Sequence, residues 1–304
     1  MDESKATLVV DHVTKSFGDF TAVNDLSLQV KPGRVFGLIG PNGAGKTTTI
    51  RMIVNITAPD SGRIELLGQP MTTAMQDRIG YLPEERGLYK RMKVGEQLRF
   101  FAELKNVNGK EADARIDKWL TKLQLQEWKE KRTKDLSKGM QQKVQFITSV
   151  IHDPDLLILD EPFSGLDPVN VDVMKETILE LRSKNKTIIL STHQMEIAEK
   201  LCDDVCMIHR SRKVFDGRLR EIRRSFSRNA VSVRFEGTKE LLNDPEVVTN
   251  IREVSEDFEV LLAPGANPQT LLKRLVDSGV VISKFELVEP SLHDIFVAKV
   301  KEAE

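Results

Sequence analysis

"RVFGLIGPNGAGKTTTI", residues 34–50, changes character twice. An apolar, β-prone run gives way to three closely spaced glycines and a lysine. A string of hydroxyls then leads into an apolar helical pattern. Gly40 to Thr47 satisfies G-x-x-x-x-G-K-[ST], and the strand before it and helix after it are the context that this motif needs. Glycines let successive backbone N–H groups turn inward as an anion nest, and the helix N-terminus adds its dipole. Lys46 is placed to reach the outer phosphates of a nucleotide, and the Thr47 hydroxyl to ligate Mg²⁺. A bare glycine-rich turn would not need the lysine or the hydroxyls, so the loop reads as a phosphate cradle.

Two further apolar strands support it. "LLILDEP" (156–162) ends on Asp160, placed to hold Mg²⁺ directly or through a water, and on Glu161, which could polarise an attacking water. "KTIILSTH" (186–193) brings His193 to the end of a third strand, with a helix expected between them from Val169 to Ser183. Strand–helix–strand at this rhythm implies a mainly parallel sheet covered by helices. Upstream, "ATLVVDHVTKSF" and "AVNDLSLQV" alternate apolar and polar residues, as in a half-exposed sheet. From about Val94 to Ile151 the pattern is helical, with Met140, Val144, Ile147 and Ile151 at helical spacing. After about Ser227 the grammar changes. "AVSVRFEG", "EDFEVLLAP" and "GVVISKFELVEP" read as strands. "PQTLLKRLVDSG" and "SLHDIFVAKVKE" read as helices, the latter opening on a Ser291/Asp294 capping pattern.

The bulk numbers narrow the class. Length, 304 residues, suggests about two domains, and 40% hydrophobic residues suffice for real cores. Lys and Arg total 45 against 46 Asp and Glu, so no global basic field invites nucleic acid. The local cluster "HRSRKVFDGRLREIRRSFSR" (209–228) reads as a solvated face near a domain boundary. No apolar run approaches the ~20 residues of a membrane span. "MDESKATLVV" lacks the regions of a signal peptide, so a cytosolic chain is expected. Cys202 and Cys206 fit no metal-site spacing and read as structural.

"LSKGMQQK" (136–143) reads first as Ser137 capping a helix. A capped helix start with Gly139 is also a second anion site. "GPNGAGKTT", "LSKGMQQK", "LLILDEP", "SGLD" and "STH" follow one another in the order and spacing of ATP-binding cassette (ABC) ATPases, which residues 5–225 resemble. The tail, notably "EPSLHDIFVAKV", is similar to the accessory domain of bacterial exporter ATPases of the sodium, drug or polyketide type. The resemblance implies an α/β fold: a P-loop NTPase core, mostly parallel, with an antiparallel β subdomain and a helical insertion at about 84–151. The nucleotide-binding domain would span 1–227 and a small α+β accessory domain 228–304.

By position, the resemblance implies that Gly40, Pro41, Asn42, Gly43, Ala44, Gly45, Lys46, Thr47 and Thr48 bind ATP, with Phe17 stacked on the adenine. Thr47 and Asp160 would hold Mg²⁺. Glu161 is expected as the catalytic base and His193 as the γ-phosphate switch. Ser137, Lys138 and Gly139 would face the ATP of a partner cassette, and Asp167 would lie along the dimer seam. Asp167 before Pro168 is also an ordinary helix start. Two departures stand out. LSKGM, with Lys138 and Met140, replaces the family's LSGGQ, and Glu84 stands where the family places a glutamine facing Mg²⁺.

The partners implied are a second ATPase subunit, in a symmetric homodimer, and an integral membrane transport subunit received by "PEERGLYKRMKVGEQL" (83–98), with no nucleic acid. The chain would then sit in the cytoplasm, peripheral to the cell membrane, as the ATPase of an exporter. A cassette acting on ribosomes or DNA is the alternative; such members carry two cassettes or long coiled coils, which are absent from this sequence. A GTPase or kinase would leave "LSKGMQQK" unexplained. The tail reads equally as a stabilising cap or as a dimerisation or regulatory module.

Overall fold

The computed structural model describes residues 6–85, 87–226 and 229–303. The chain opens with β1 (Leu8–Phe17), β2 (Phe20–Val30) and β3 (Val35–Ile39), then α1 (Lys46–Ile53). Next come β4 (Ser61–Leu66), β5 (Gln69–Pro70) and β6 (Ile79–Leu82), and a helical insertion of α2 (Val94–Leu104), α3 (Gly109–Lys122) and α4 (Lys138–Val150). The chain returns through β7 (Leu156–Asp160), α5 (Pro168–Ser183), β8 (Thr187–Thr192), α6 (Met195–Leu201), β9 (Asp204–His209) and β10 (Arg212–Arg218). It goes on through α7 (Leu219–Ser225), β11 (Ala230–Phe235), β12 (Val248–Val254), β13 (Asp257–Leu262), α8 (Pro268–Asp277), β14 (Ile282–Leu287) and α9 (Leu292–Ala303).

A six-stranded sheet in the order β10-β9-β3-β8-β7-β6 forms the frame. All neighbours in it are parallel except β10, which runs antiparallel to β9. Every residue of β3, β7 and β8 is buried, the near-continuous apolar run of strands covered on both faces. A four-stranded antiparallel sheet, β2-β1-β4-β5, lies alongside. One apolar core joins the two: Val13, Leu26 and Ile64 of the antiparallel sheet cluster with Leu38, Ile158 and Ile189 of the parallel sheet, and with Ile50 and Ile53 of α1. This is the α/β fold class expected from the sequence.

The insertion packs through α4, which meets β6, α2 and α3. The apolar spacing found the helix, yet α4 is buried nearly all round, and Gln142, Lys143 and Gln145 are buried with it. Lys143 Nζ donates to Leu123 O at 3.0 Å, at the end of α3, and burial pushes its pKa down.

Packing divides the chain into Met1–Leu219 and Arg220–Glu304. The boundary expected at 227/228 falls on residues outside the described set. The division comes earlier because Leu219 N donates to Asp203 O, whereas Arg223 donates to Pro290 O. In the second unit the strand order is β12-β13-β11-β14, all antiparallel. Leu271 and Leu275 of α8 pack on Val231, Val233 and Val260. The strand β12 was not anticipated. It is an edge strand with mostly exposed side chains, so it carries no apolar alternation to read. Ser291 and Asp294 cap α9 reciprocally.

Candidate nucleotide site

The phosphate loop joins the C-terminal end of β3 to α1. Gly43 and Gly45 have φ of 76° and 108°, which L side chains rarely adopt. A Cβ on Gly45 would lie 2.4 Å from Ala22 O, so β2 approaches the loop closely enough to exclude any side chain there. Lys46 folds back over the loop, its Nζ donating to Gly40 O at 2.8 Å and Pro41 O at 3.2 Å. The ammonium is buried, and that burial lowers its pKa, opposed by the charges of Glu161, Asp160 and Glu84. It is held over two carbonyls that can surrender it to a stronger anion.

The parallel sheet brings the two acidic residues to this loop. Thr47 Oγ1 donates to Asp160 Oδ2 at 3.0 Å. Asp160 is fully buried, and its other oxygen, Oδ1, has no partner among the described residues. Burial raises its pKa; the hydroxyls of Ser191 and Thr47 oppose the rise, and the charges of Glu84 and Glu161 add to it. The next residue, Glu161, turns the chain with φ of 49°, a left-handed conformation costing a non-glycine residue about 1 kcal/mol or more. Its carboxylate is gripped from β8. Thr192 Oγ1 donates to Oε2 at 3.1 Å, His193 N donates to Oε1 at 2.9 Å, and His193 Nδ1 lies 2.7 Å from Oε1.

A magnesium ion fits this chemistry. Among the described residues no three His, Cys, Asp or Glu side chains group as a metal cage. A hydroxyl and a buried carboxylate with an unpaired oxygen are oxygen ligands of the kind that Mg²⁺ takes together with substrate phosphates.

The signature segment opens α4. Ser137 is its N-cap, Oγ accepting from Met140 N at 3.2 Å, and Lys138 is exposed beside it. Gly139 packs on the segment after Glu161: a Cβ there would lie 3.4 Å from Leu166 Cδ2 and 3.5 Å from Gly165 O. Asp167 caps α5, Oδ1 accepting from Asn170 N at 3.0 Å. Farther along α4, Gln142 Nε2 donates to Pro162 O at 3.3 Å. Gln145 Nε2 donates to Pro83 O at 3.2 Å and to Glu85 O at 3.0 Å. Neither glutamine was singled out in the sequence. The available signal was a pair of amides on a helix whose neighbours are apolar.

Phe17 lies at the tip of the β1–β2 hairpin, 54% exposed, with Lys15 Nζ 5.6 Å from its ring centre. Glu84 is exposed, on the loop after β6. Arg86, in the expected coupling segment, lies outside the described residues. Cys202 and Cys206 are buried free thiols, pushed up by burial, Cys206 to about 12. No helix among the described residues is long and apolar enough to cross a membrane.

A family model described as "ABC transporter" matches residues 23–164, and one described as "ATP-binding protein DrrA1-3-like, C-terminal domain" matches 217–300. The chain is 44% identical over 293 residues to the uncharacterized ABC transporter ATP-binding protein YhaQ of Bacillus subtilis (strain 168), covering 96% of this chain and 98% of that one. It is 40% identical over 220 residues to the Nod factor export ATP-binding protein I of Cupriavidus metallidurans, covering 71% of this chain and 73% of the relative. A solved structure described as the ATP binding subunit of an ABC transporter superposes with a TM-score of 0.68 at 32% identity, over 72% of this chain and 93% of that one. The phosphate loop, the Asp160–Glu161 strand end and the capped signature helix, together with these likenesses, lead to one conclusion: the chain belongs to the ATP-binding, ATP-hydrolysing proteins of ABC transporters.

Proposed function

We propose that the chain is the ATPase subunit of an exporter, driving a separate integral membrane subunit by ATP-dependent pairing of two cassettes. The observation that carries this reading is the Glu161 carboxylate, held by Thr192 and His193 one residue beyond the Asp160–Thr47 pair. The loop from Gly40 to Thr48 binds the phosphates, Lys46 leaves its two carbonyls for the outer phosphates, and Phe17 offers its ring to the base. Thr47, Asp160 and Glu84 would hold Mg²⁺. Bound there, the ion would neutralise charge on the phosphate oxygens. Glu161 accepts the proton of the attacking water, and His193 orients that carboxylate and meets the γ-phosphate. Such a base contributes about 10²–10⁴ in rate.

Ser137, Lys138 and Gly139 act in trans, on the ATP of the second cassette, with Asp167 along the seam. Since all these elements occur in one chain, a symmetric homodimer has two complete sites. Export is supported by the relatives named for Nod factor export. The place of action is then the cytoplasmic face of the membrane, reached through the membrane subunit.

The test is the solution mass of the Glu161→Gln variant with and without ATP and Mg²⁺. A monomer that becomes a dimer only with ATP supports the reading. Co-purification with a membrane protein from native cells supports the export half, and ATP-dependent retention on ribosomes or DNA instead would replace it.

A further inference from the structure

The loop between β6 and α2 is held by side-chain amides. At its start, the single amide nitrogen of Gln145 reaches the carbonyls of both Pro83 and Glu85, the two residues that flank Glu84. Carbonyls only accept, so this bonding fixes which end of the amide faces the loop. At the loop's far end Tyr89 N donates to Gln97 Oε1 at 2.7 Å, from α2. Both glutamines are buried, Gln145 at 3% exposure and Gln97 at 0%. Each leaves one buried amide atom without a partner among the described residues, Oε1 of Gln145 and Nε2 of Gln97.

An unpaired buried polar atom is destabilising, and an aliphatic side chain of similar size would avoid it. Packing alone therefore does not explain a glutamine at 145. Holding the backbone on either side of Glu84 does. β6 pairs in parallel with β7, Leu82 opposite Leu159, so the loop that starts at Pro83 leaves the sheet beside Asp160, and the negative charge of Glu84 is felt at Asp160 and Lys46. Gln145 also lies on the helix that Ser137 begins, so the loop is tied to the signature segment by one rigid element.

We propose that Gln145 is a positioning residue that holds Glu84 in place toward the Mg²⁺ bound with ATP, through the carbonyls of Pro83 and Glu85. This rests on the reading of Glu84 as a metal-facing residue. The Glu161→Gln protein, expected to bind ATP without turning it over, serves as background for Gln145→Leu, Glu84→Ala and the double variant. Binding of a fluorescent ATP analogue is titrated in EDTA and then against Mg²⁺.

Gln145→Leu is expected to leave metal-free binding unchanged and to raise the Mg²⁺ concentration for half effect about tenfold, as loss of an outer partner of a metal ligand does. Glu84→Ala should raise it similarly, and the double variant no further. If Glu84→Ala leaves the Mg²⁺ requirement unchanged, the reading of Glu84 fails and the inference falls with it. If Glu84→Ala shifts it and Gln145→Leu does not, or if the two shifts multiply, the inference about Gln145 alone is overturned. Should Gln145→Leu not fold, Gln145→Asn, which keeps the donor on a shorter arm, replaces it in the series and is read by the same criteria.

Discussion

His193 Nδ1 lies 2.7 Å from Glu161 Oε1, while the same oxygen accepts from the backbone N–H of His193. One residue at the end of β8 thus holds the carboxylate twice. The two contacts separate by mutation, because only the imidazole is lost in His193→Ala.

Glu161→Gln is therefore expected to reduce ATP turnover about 10²–10⁴-fold with ATP affinity retained. His193→Ala should reduce kcat less than this, with KM for ATP near the wild-type value, since Thr192 and the backbone still hold the carboxylate. Phosphate release against ATP concentration reads both. A larger loss of kcat in His193→Ala than in Glu161→Gln would move the principal role to the imidazole.

Gly139→Ala should separate folding from pairing. The new methyl would meet Leu166 at ordinary contact distance, and alanine is favoured over glycine in a helix by about 1 kcal/mol. The melting temperature should hold or rise. The ATP-dependent dimer of the Glu161→Gln background should weaken about tenfold, a loss of one good contact per site. An unchanged dimer would mean that Gly139 does not face the partner's nucleotide.

Asp160 gives a pH signature. Its folded-state pKa is raised above the ordinary 3.8, chiefly by burial, so the folded state takes up its proton more readily than the unfolded chain. Ionising it costs the nucleotide-free protein stability as pH rises from about 3.9 through the raised value, and that cost stays fully present above it. Asp160→Asn should therefore melt higher than wild type at pH 7, by roughly a few degrees. The gap should close as pH falls toward 4. Thermal melts of both proteins without nucleotide, from pH 4 to pH 8, check the sign.

Cys202 and Cys206 should resist iodoacetamide in the folded protein at pH 8 and react fully in denaturant. Both thiols are buried, and burial pushes their pKa values well above the labelling pH, so little thiolate forms. Mass spectrometry of labelled protein counts the adducts, and labelling under native conditions would show that the β9 region opens.

Much of the site was legible because its chemistry leaves fixed residue types at fixed spacing. Asp160 and Glu161 sit at the end of an apolar strand, and Lys46 and Thr47 open the helix that follows the glycine loop after another. The helical period found α4 but not its surroundings. A stripe through Met140, Val144, Ile147 and Ile151 suggests one apolar face, whereas the neighbouring glutamines are buried because loops from β6 and β7 supply carbonyls to them. Such partners lie far along the chain and leave no local trace. The left-handed turn at Glu161 was equally hidden, since nothing in "LDEP" requires a positive φ. In the second unit β12 escaped because an exposed edge strand owes its pairing to β13, not to its own apolar order.

The position of β3 also governs when the nucleotide site can exist during synthesis. Val35 pairs with Ile188, Leu38 pairs with Cys206, and the phosphate-loop glycine Gly40 rests against the carbonyl of Ile208. A ribosome that has released only the first half of this chain has made the whole phosphate loop and the β2 strand beside it, but neither β8 nor β9. Such distant pairings delay folding, because the long intervening segment must be ordered before they form. The nascent chain thus carries its ATP-binding motif through about half of translation without the strands that hold it, and the site can form only once β8 and β9 have emerged.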